Sequence, residues 1–309
     1  MTSGMSWFSK RPYGQDQVYD SFRAAGEIAR KVRSEVVYRV REGASALEIA
    51  TWVEERIREL GGGVAFPCNV GVDAVAAHST PYPDSDYALR RGSLVKVDLG
   101  VEIDGLVADT AVTVALPGAD EAMVLAAERA LEEALRAIRA GVRVSAVGEV
   151  ISRAVTSYGY RPIANLSGHQ IERYNLHAGL SIPNVPAGEG RLEAGKVYAV
   201  EPFLTTRRGA GQVKHIDRVE IFRVSEDSLV RSRRLGPQHE AVVRRLLEST
   251  RGLPYALRWF PDVDREIHAV LYRRGIVKGY PVLVEASGEP VAQAEHTVVV
   301  WEDGCETLT

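Results

Sequence analysis

The sequence predicts a mixed α/β (α+β) protein made of two related halves, with a helical segment inserted in the second. Three observations carry this reading. The hydrophobic period changes from helical to alternating, and the same change occurs again further along the chain. A local pattern, Leu89-x-x-Gly92-x5-Asp98, returns as Leu192-x-x-Gly195-x5-Glu201, so that a carboxylate twice lies six residues past a glycine inside an apolar strand. An arginine-rich, largely helical stretch, 225–279, then separates the second half from its last strand.

The elements follow in order. Residues 15–41 carry Val18, Phe22, Ala25, Ile28, Ala29, Val32 and Val36 at helical spacing. A second helix opens at Ser45, where Ser45-x-x-Glu48 is a capping-box pattern, and stops before Gly61-Gly62-Gly63. Two β-branched runs over 94–116 flank Asp104-Gly105, a favoured two-residue hairpin turn. Helices over 119–140 and 145–157 and strands over 196–204 and 217–224 repeat that order. The charges of the 225–279 helical subdomain read as a solvated face, and 291–303 forms the closing strand, with Glu295 and His296 at its middle. The first dozen residues are expected to be loosely structured, and 1–309 reads as a single domain.

Composition narrows the function classes. A chain of 309 residues buries roughly three-quarters of its unfolded surface and needs no staples. Its 38 basic and 41 acidic side chains leave a net charge of -3, which argues against nucleic-acid binding through a broad basic face. Two cysteines, Cys68 and Cys305, exclude a disulfide framework or a cysteine-only zinc site. The start lacks the apolar region of a signal peptide, and no apolar run is long enough for a membrane span. A cytoplasmic protein without a membrane partner is therefore expected. Seven histidines, at 78, 169, 177, 215, 239, 268 and 296, are the first candidates for metal or acid–base chemistry near neutral pH.

The hairpin holds the first chemical signal. A two-residue loop at Asp104-Gly105 places Asp98 opposite Ala111, which makes Asp98 and Asp109 diagonal neighbours on one face, about 7–8 Å apart. Two like charges in apolar strands repel and desolvate badly, so a cation is expected between them. An arbitrary hairpin more often leaves one such aspartate at a solvent-facing edge. Here the oddity recurs: Glu201 sits in YAVEPF and Glu295 in AQAEHT. Carboxylates mixed with a histidine suit divalent transition ions better than a structural zinc. Both His169 and His177 are candidate nitrogen ligands, although a lone histidine is commonly structural. His296 faces away from Glu295 along its strand and is not expected to be a ligand, and His215 has no assigned role.

Five fragments in order, AAHSTP, the VDLG…ADT hairpin, GHQIERYNLHAG, AVEPFL and QAEHT, resemble the type-two, archaeal-like methionine aminopeptidases over nearly the whole chain. The helical segment before the last strand, including LPYALRWF, resembles the feature that separates type two from type one. The resemblance implies the pita-bread (creatinase/aminopeptidase) fold, two pseudo-symmetric halves around two divalent metal ions. It implies Asp98, Asp109, His169, Glu201 and Glu295 as metal ligands, with Asp109 and Glu295 bridging, Asp98 on one ion and His169 with Glu201 on the other. It further implies Glu201, His177 and His78 as catalytic residues, His78 and His177 facing substrate, and Phe66 and Tyr280 receiving the methionine side chain. For Phe66 and Tyr280 the competing reading is an ordinary core aromatic. Cobalt, iron, manganese and zinc all fit the implied site.

The implied activity is metal-dependent removal of N-terminal methionine from nascent polypeptides when the second residue is small, a step of protein maturation. Met1-Thr2 obeys the same rule, so self-processing is expected. Transient ribosome association accords with cotranslational trimming, though without a basic extension to support it, and a monomer is the default. The alternatives are an Xaa-Pro dipeptidase or aminopeptidase of the same fold, which normally carries a longer N-terminal region, and a metal-free pita-bread binding protein, which should lack several ligands.

Overall fold

The computed structural model describes residues 15–309. The first dozen residues, expected to be loosely structured, and the Met1-Thr2 start lie outside the described residues. In chain order the first half contains helices α1 (Gln15–Val36) and α2 (Ala46–Glu59) and strands β1 (Gly63–Val72), β2 (Val75–Ala77), β3 (Leu94–Ile103) and β4 (Leu106–Ala115). The second begins with α3 (Glu121–Ala137) and α4 (Val144–Ser157), then β5 (Arg161–Pro162), β6 (Ser167–Ile171), β7 (Ser181–Pro183), β8 (Val197–Val200), β9 (Phe203–Thr205) and β10 (Val213–Arg223). Helices α5 (Glu226–Ser232), α6 (Pro237–Thr250) and α7 (Arg265–Arg273) follow. The chain returns through β11 (Lys278–Glu285), β12 (Val291–Gln293), β13 (His296–Val300) and β14 (Cys305–Thr307).

The two halves are built alike. In the first, β1-β3-β4 form an antiparallel sheet. In the second, β6, β8 and β13 pair the same way, with β7 and β14 added at the edges. One side of the first sheet packs on the apolar faces of α1 and α2, through Ala25, Ala29, Val32, Ile49, Val53 and Ile57. The second sheet packs on α3 and α4, through Met123, Ala127, Ala130, Val147 and Ile151. The likeness extends to single hydrogen bonds. Leu89 exchanges bonds with Gly43 and Ala44 at 2.9 and 2.8 Å, and Leu192 does so with Gly141 and Val142 at 2.8 and 2.9 Å. Gly92 and Gly195 then turn the chain into β3 and β8 at φ +83° and +75°, a conformation that side chains disfavour. The repeated Leu-x-x-Gly pattern is therefore the folded signature of the duplication.

Differences from the sequence reading are local. Helix α1 ends at Val36 rather than at residue 41, because Arg39 and Val40 both bond back to Val36 in a tightened last turn before the chain reaches Leu89. Ser45 does cap α2, its hydroxyl accepting from the Glu48 amide at 3.0 Å. A second free amide, that of Leu47, goes to Asp86, which also accepts from the Ser45 hydroxyl. The strand expected over 196–204 is divided into β8 and β9, and that over 291–303 into β12 and β13. The breaks coincide: His296 pairs Val200 and Gln293 pairs Phe203, with Glu201-Pro202 opposite Ala294-Glu295 between them. Proline has no amide to donate, so the ladder opens there.

A third sheet, β10-β11-β2, carries the helices α5 to α7 between two paired strands, with Arg223 opposite Lys278. These helices bury a core of their own around Val243, Leu246, Tyr255, Phe260 and Leu271. Among the described residues, no helix is long and apolar enough to cross a membrane.

Gly148 offers a test of the helix–strand contact. Inside a helix, alanine normally outperforms glycine by about 1 kcal/mol. Here a Cβ would lie 2.1 Å from the Val185 carbonyl oxygen, so Gly148→Ala should reverse the sign and destabilise by about 1–3 kcal/mol. Urea unfolding measures this, and an unchanged or raised midpoint would contradict the packing.

Candidate metal centre

The site forms where the two duplicated sheets meet. A single backbone bridge, Ala111 to Glu295, links β4 to the β12–β13 break. Threonine side chains supply the remaining rungs. Thr297 accepts from the Asp109 amide and donates to the Asp109 carbonyl, both at 2.8 Å. Thr110 donates to the Glu295 carbonyl at 2.8 Å, and Thr113 exchanges two bonds with the Gln293 backbone. Side-chain rungs fix the two sheets in register while leaving space for Asp109 and Glu295 to meet.

The hairpin register is the expected one, Ile103 opposite Leu106 and Asp98 opposite Ala111. Asp98 and Asp109 line one cavity together with His169 from β6, Glu201 from the β8–β9 break and Glu295 from the β12–β13 break. Ligand atoms of Asp109, His169 and Glu295 all lie within 4.8 Å of one another. His169 Nε2 is 3.7 Å from Asp109 Oδ2 and 3.5 Å from Glu201 Oε1. Gln293 donates to Glu295 Oε2 at 3.1 Å and aims that carboxylate.

These acids are electrostatically costly. Burial pushes the Asp98 carboxyl up to about 7. Burial first, then the Asp98 and Glu201 charges, raises Asp109 well above the usual range. Glu201 and Glu295 are raised likewise, by burial and then by neighbouring carboxylates. Arg33 lies behind the cluster, donating to Thr110 and facing His296 Nδ1 at 2.8 Å, and does not neutralise four carboxylates. Asp98 Oδ1 and Asp109 Oδ1 are buried with no hydrogen-bond partner. Unpaired acceptors of this kind, beside one imidazole, are a donor set that fits divalent cations.

The same cavity extends into an apolar recess lined by Phe66, Ala77, Leu176, Phe203, Ile221 and Tyr280, with His78 and His177 on its wall. The whole cavity, acid cluster included, encloses about 70 Å³, well below the roughly 300–1,000 Å³ of a drug-sized pocket, so the recess is small. His177 stacks at a tilt on His169, with ring centroids 4.4 Å apart, and lies 6.2 Å from Tyr280. His78 meets Tyr280 edge-on at 5.4 Å. Burial lowers the His169 imidazole to about 3 and the His177 imidazole to about 4, and moves His78 in the same direction.

All nine residues singled out in the sequence thus converge on one cavity. Others went unnoticed. Asn69, buried and paired with Asp98 across β1 and β3, was legible as a polar residue in an apolar strand. The three threonines carry no sequence signal, because threonine is ordinary in strands. His296 faces Arg33 and Thr309 and not the cavity. His268 packs in the inserted helices against the Tyr255 hydroxyl at 3.0 Å, and His215 is exposed on β10.

Known proteins match this arrangement. The profile of metallopeptidase family M24 matches residues 20–230. A methionine aminopeptidase of Thermococcus onnurineus is 44% identical, with 92% of this chain and 97% of that protein covered. One of Methanothermobacter thermautotrophicus is 42% identical, with 95% and 99% covered. A crystal structure of methionine aminopeptidase from Thermotoga maritima superposes with a TM-score of 0.68 at 24% identity, covering 97% of this chain and 98% of that one, and shows the shared pita-bread fold. Matched along nearly its full length by these relatives, the chain belongs to metallopeptidase family M24 and, within it, to the methionine aminopeptidases.

Proposed function

We propose that this chain removes the N-terminal methionine of nascent polypeptides whose second residue is small, using two divalent metal ions held by Asp98, Asp109, His169, Glu201 and Glu295. The observation that carries this reading is the cavity itself, in which five ligand-type side chains from separate segments adjoin a small apolar recess. Asp109 and Glu295 would be shared between the two ions, with Asp98 completing one position and His169 with Glu201 the other. The ions are of the transition series, cobalt, iron, manganese or zinc. When bound, they acidify a water and polarise the scissile carbonyl.

The chain's own groups supply the rest. Phe66 and Tyr280 receive the methionine side chain in the recess. His78 and His177 are neutral near pH 7, because burial disfavours the imidazolium. His78 Nδ1 faces the Pro281 carbonyl at 3.2 Å, which can only accept, so Nδ1 carries the proton and Nε2 is left as an acceptor. That lone pair suits the scissile amide N–H. His177 serves as a donor to the oxygen that gains charge during attack. Glu201, ionised when its proton gives way to metal, takes the proton of the attacking water and returns it to the departing amine nitrogen. The peptide bond breaks, and water divides between the new carboxylate and the new amine.

The same reading takes 1–309 as a single catalytic domain with 225–279 as its helical subdomain, working as a monomer in the cytoplasm and meeting the ribosome transiently as nascent chains emerge.

Glu201→Gln and His177→Ala are each expected to lower kcat on Met-Ala-Ser by roughly a hundred-fold or more. Xaa-Pro peptides should not be cleaved. Near-normal turnover in either variant, or efficient Xaa-Pro cleavage by the unmodified protein, would refute the assignment.

The acid cluster also sets a pH dependence. A carboxyl raised in the folded state holds a proton that the unfolded chain has already released, so the metal-free protein loses stability as pH rises through about 7, where Asp98 ionises. The lowered histidines act with the opposite sign but are complete by about pH 7. Metal competes with those same protons. Between about pH 6 and 8, the urea midpoint of chelator-treated protein should fall while affinity for manganese, measured by calorimetry, rises. Affinity independent of pH over that interval would count against ligation by these carboxylates.

A further inference from the structure

The loop that carries His78 is held from outside the duplicated frame. His78 itself adopts φ +61°, a left-handed conformation that a non-glycine residue keeps only where its surroundings over-determine it. The four residues after it are engaged in turn. The Ser79 carbonyl accepts from the Val70 amide at 2.9 Å. The Thr80 amide and Ser79 hydroxyl donate to Glu220 Oε2 at 3.0 and 3.2 Å. The Thr80 hydroxyl donates to the Cys68 carbonyl at 2.7 Å. Tyr82 donates to the Glu220 carbonyl at 2.8 Å and accepts from the Leu257 amide at 2.9 Å.

Arg218 of β10 also donates to the Ser79 hydroxyl, at 2.9 Å, and further contacts come from Arg258, in the turn between α6 and α7. Its Nε donates to the Pro81 carbonyl at 3.0 Å and its Nη2 to the Thr80 hydroxyl at 2.9 Å. The same guanidinium grips Glu54 of α2 in a two-point pair at 2.6 and 3.0 Å. Both side chains are nearly inaccessible, 7% and 5% exposed. Glu54 has no spare capacity, because Trp259 Nε1 and the Cys68 amide bind it as well, at 2.7 and 3.0 Å. A buried two-point pair fixes the guanidinium plane, and the plane holds the Thr80 hydroxyl and the Pro81 carbonyl, two and three residues from His78.

We propose that Arg258, anchored by Glu54, is a positioning residue for His78, so that the inserted helices take part in the reaction by holding one substrate-facing imidazole in line. This rests on the reading of His78 as a substrate contact. It explains why a segment standing apart from the two duplicated halves sends a buried arginine into the first half. Lysine at this place keeps a charge for Glu54 but cannot reach Glu54, Thr80 and Pro81 together, since it offers a single point and not a planar fork.

The test is a double-mutant cycle on the metal-loaded protein, with metal content and folding checked in every variant. Arg258→Lys should lower kcat on Met-Ala-Ser roughly ten-fold or more while KM changes little. In the His78→Ala background the same substitution should cost almost nothing further, because there is no imidazole left to place. An equal loss in both backgrounds, or no loss in either, overturns the inference. Should Arg258→Lys fail to fold, Thr80→Ala keeps the Glu54–Arg258 pair and removes one of its contacts to the loop. It should give a smaller loss of kcat that again vanishes without His78, and an additive loss overturns the inference. His78→Ala alone separates the two ideas: near-normal kcat in that variant overturns the role of His78, whereas impaired kcat with additivity overturns only the role of Arg258.

Discussion

Four carboxylates share one buried cavity in this protein, and much of the surrounding structure answers to their mutual repulsion. A regular ladder between β4 and β13 would bring the two backbones to about 4.8 Å and close the space between them. Threonine rungs from residues 110, 113 and 297 hold the sheets together instead. On the other side, strands β8–β9 and β12–β13 open at the same level, where the Ala294 amide still reaches the Pro202 carbonyl at 3.3 Å. That shared break releases Glu201 and Glu295 into the cavity without giving up the register on either side.

Such a site does not stabilise the chain that carries it. Desolvation raises all four carboxyls, neighbouring carboxylates raise Asp109, Glu201 and Glu295 further, and two oxygens of the cluster have no partner. The stability comes from elsewhere, from the two helix-backed cores of the duplicated halves. Fully buried aliphatic side chains there contribute about 1.5–3 kcal/mol each. The duplication therefore does two things together: it provides two independent cores, and it provides two sheets whose acids meet at the joint.

Parts of this were legible in the chain. The Asp104-Gly105 turn dictates the pairing of β3 with β4, and with it the common face of Asp98 and Asp109, since strand periodicity leaves no choice once the turn is set. The repeated Leu-x-x-Gly spacing announced both the duplication and the places of Asp98 and Glu201. Other features were harder to read. Apolar residues on both sides of Glu201-Pro202 and of Glu295 extend the strand reading across 196–204 and 291–303, and Pro202, which cannot donate to a ladder, was the local sign of a break. Asp86, which serves the α2 terminus beside Ser45, lies 41 residues from that cap. Nothing local marks the link from Glu54 to Arg258 either, at a separation of 204 residues.

Local rules thus determined which side chains share a strand face, where helices begin, and which residue types could carry metal and proton chemistry, because turns, caps and periodicity act within a few residues. The tertiary structure alone decided that His169, Glu201 and Glu295 stand beside the aspartates, that the imidazoles are neutral, and that the inserted helices grip the His78 loop. Those outcomes depend on burial and on contacts between distant segments. Both arise only when the sheets close on one another.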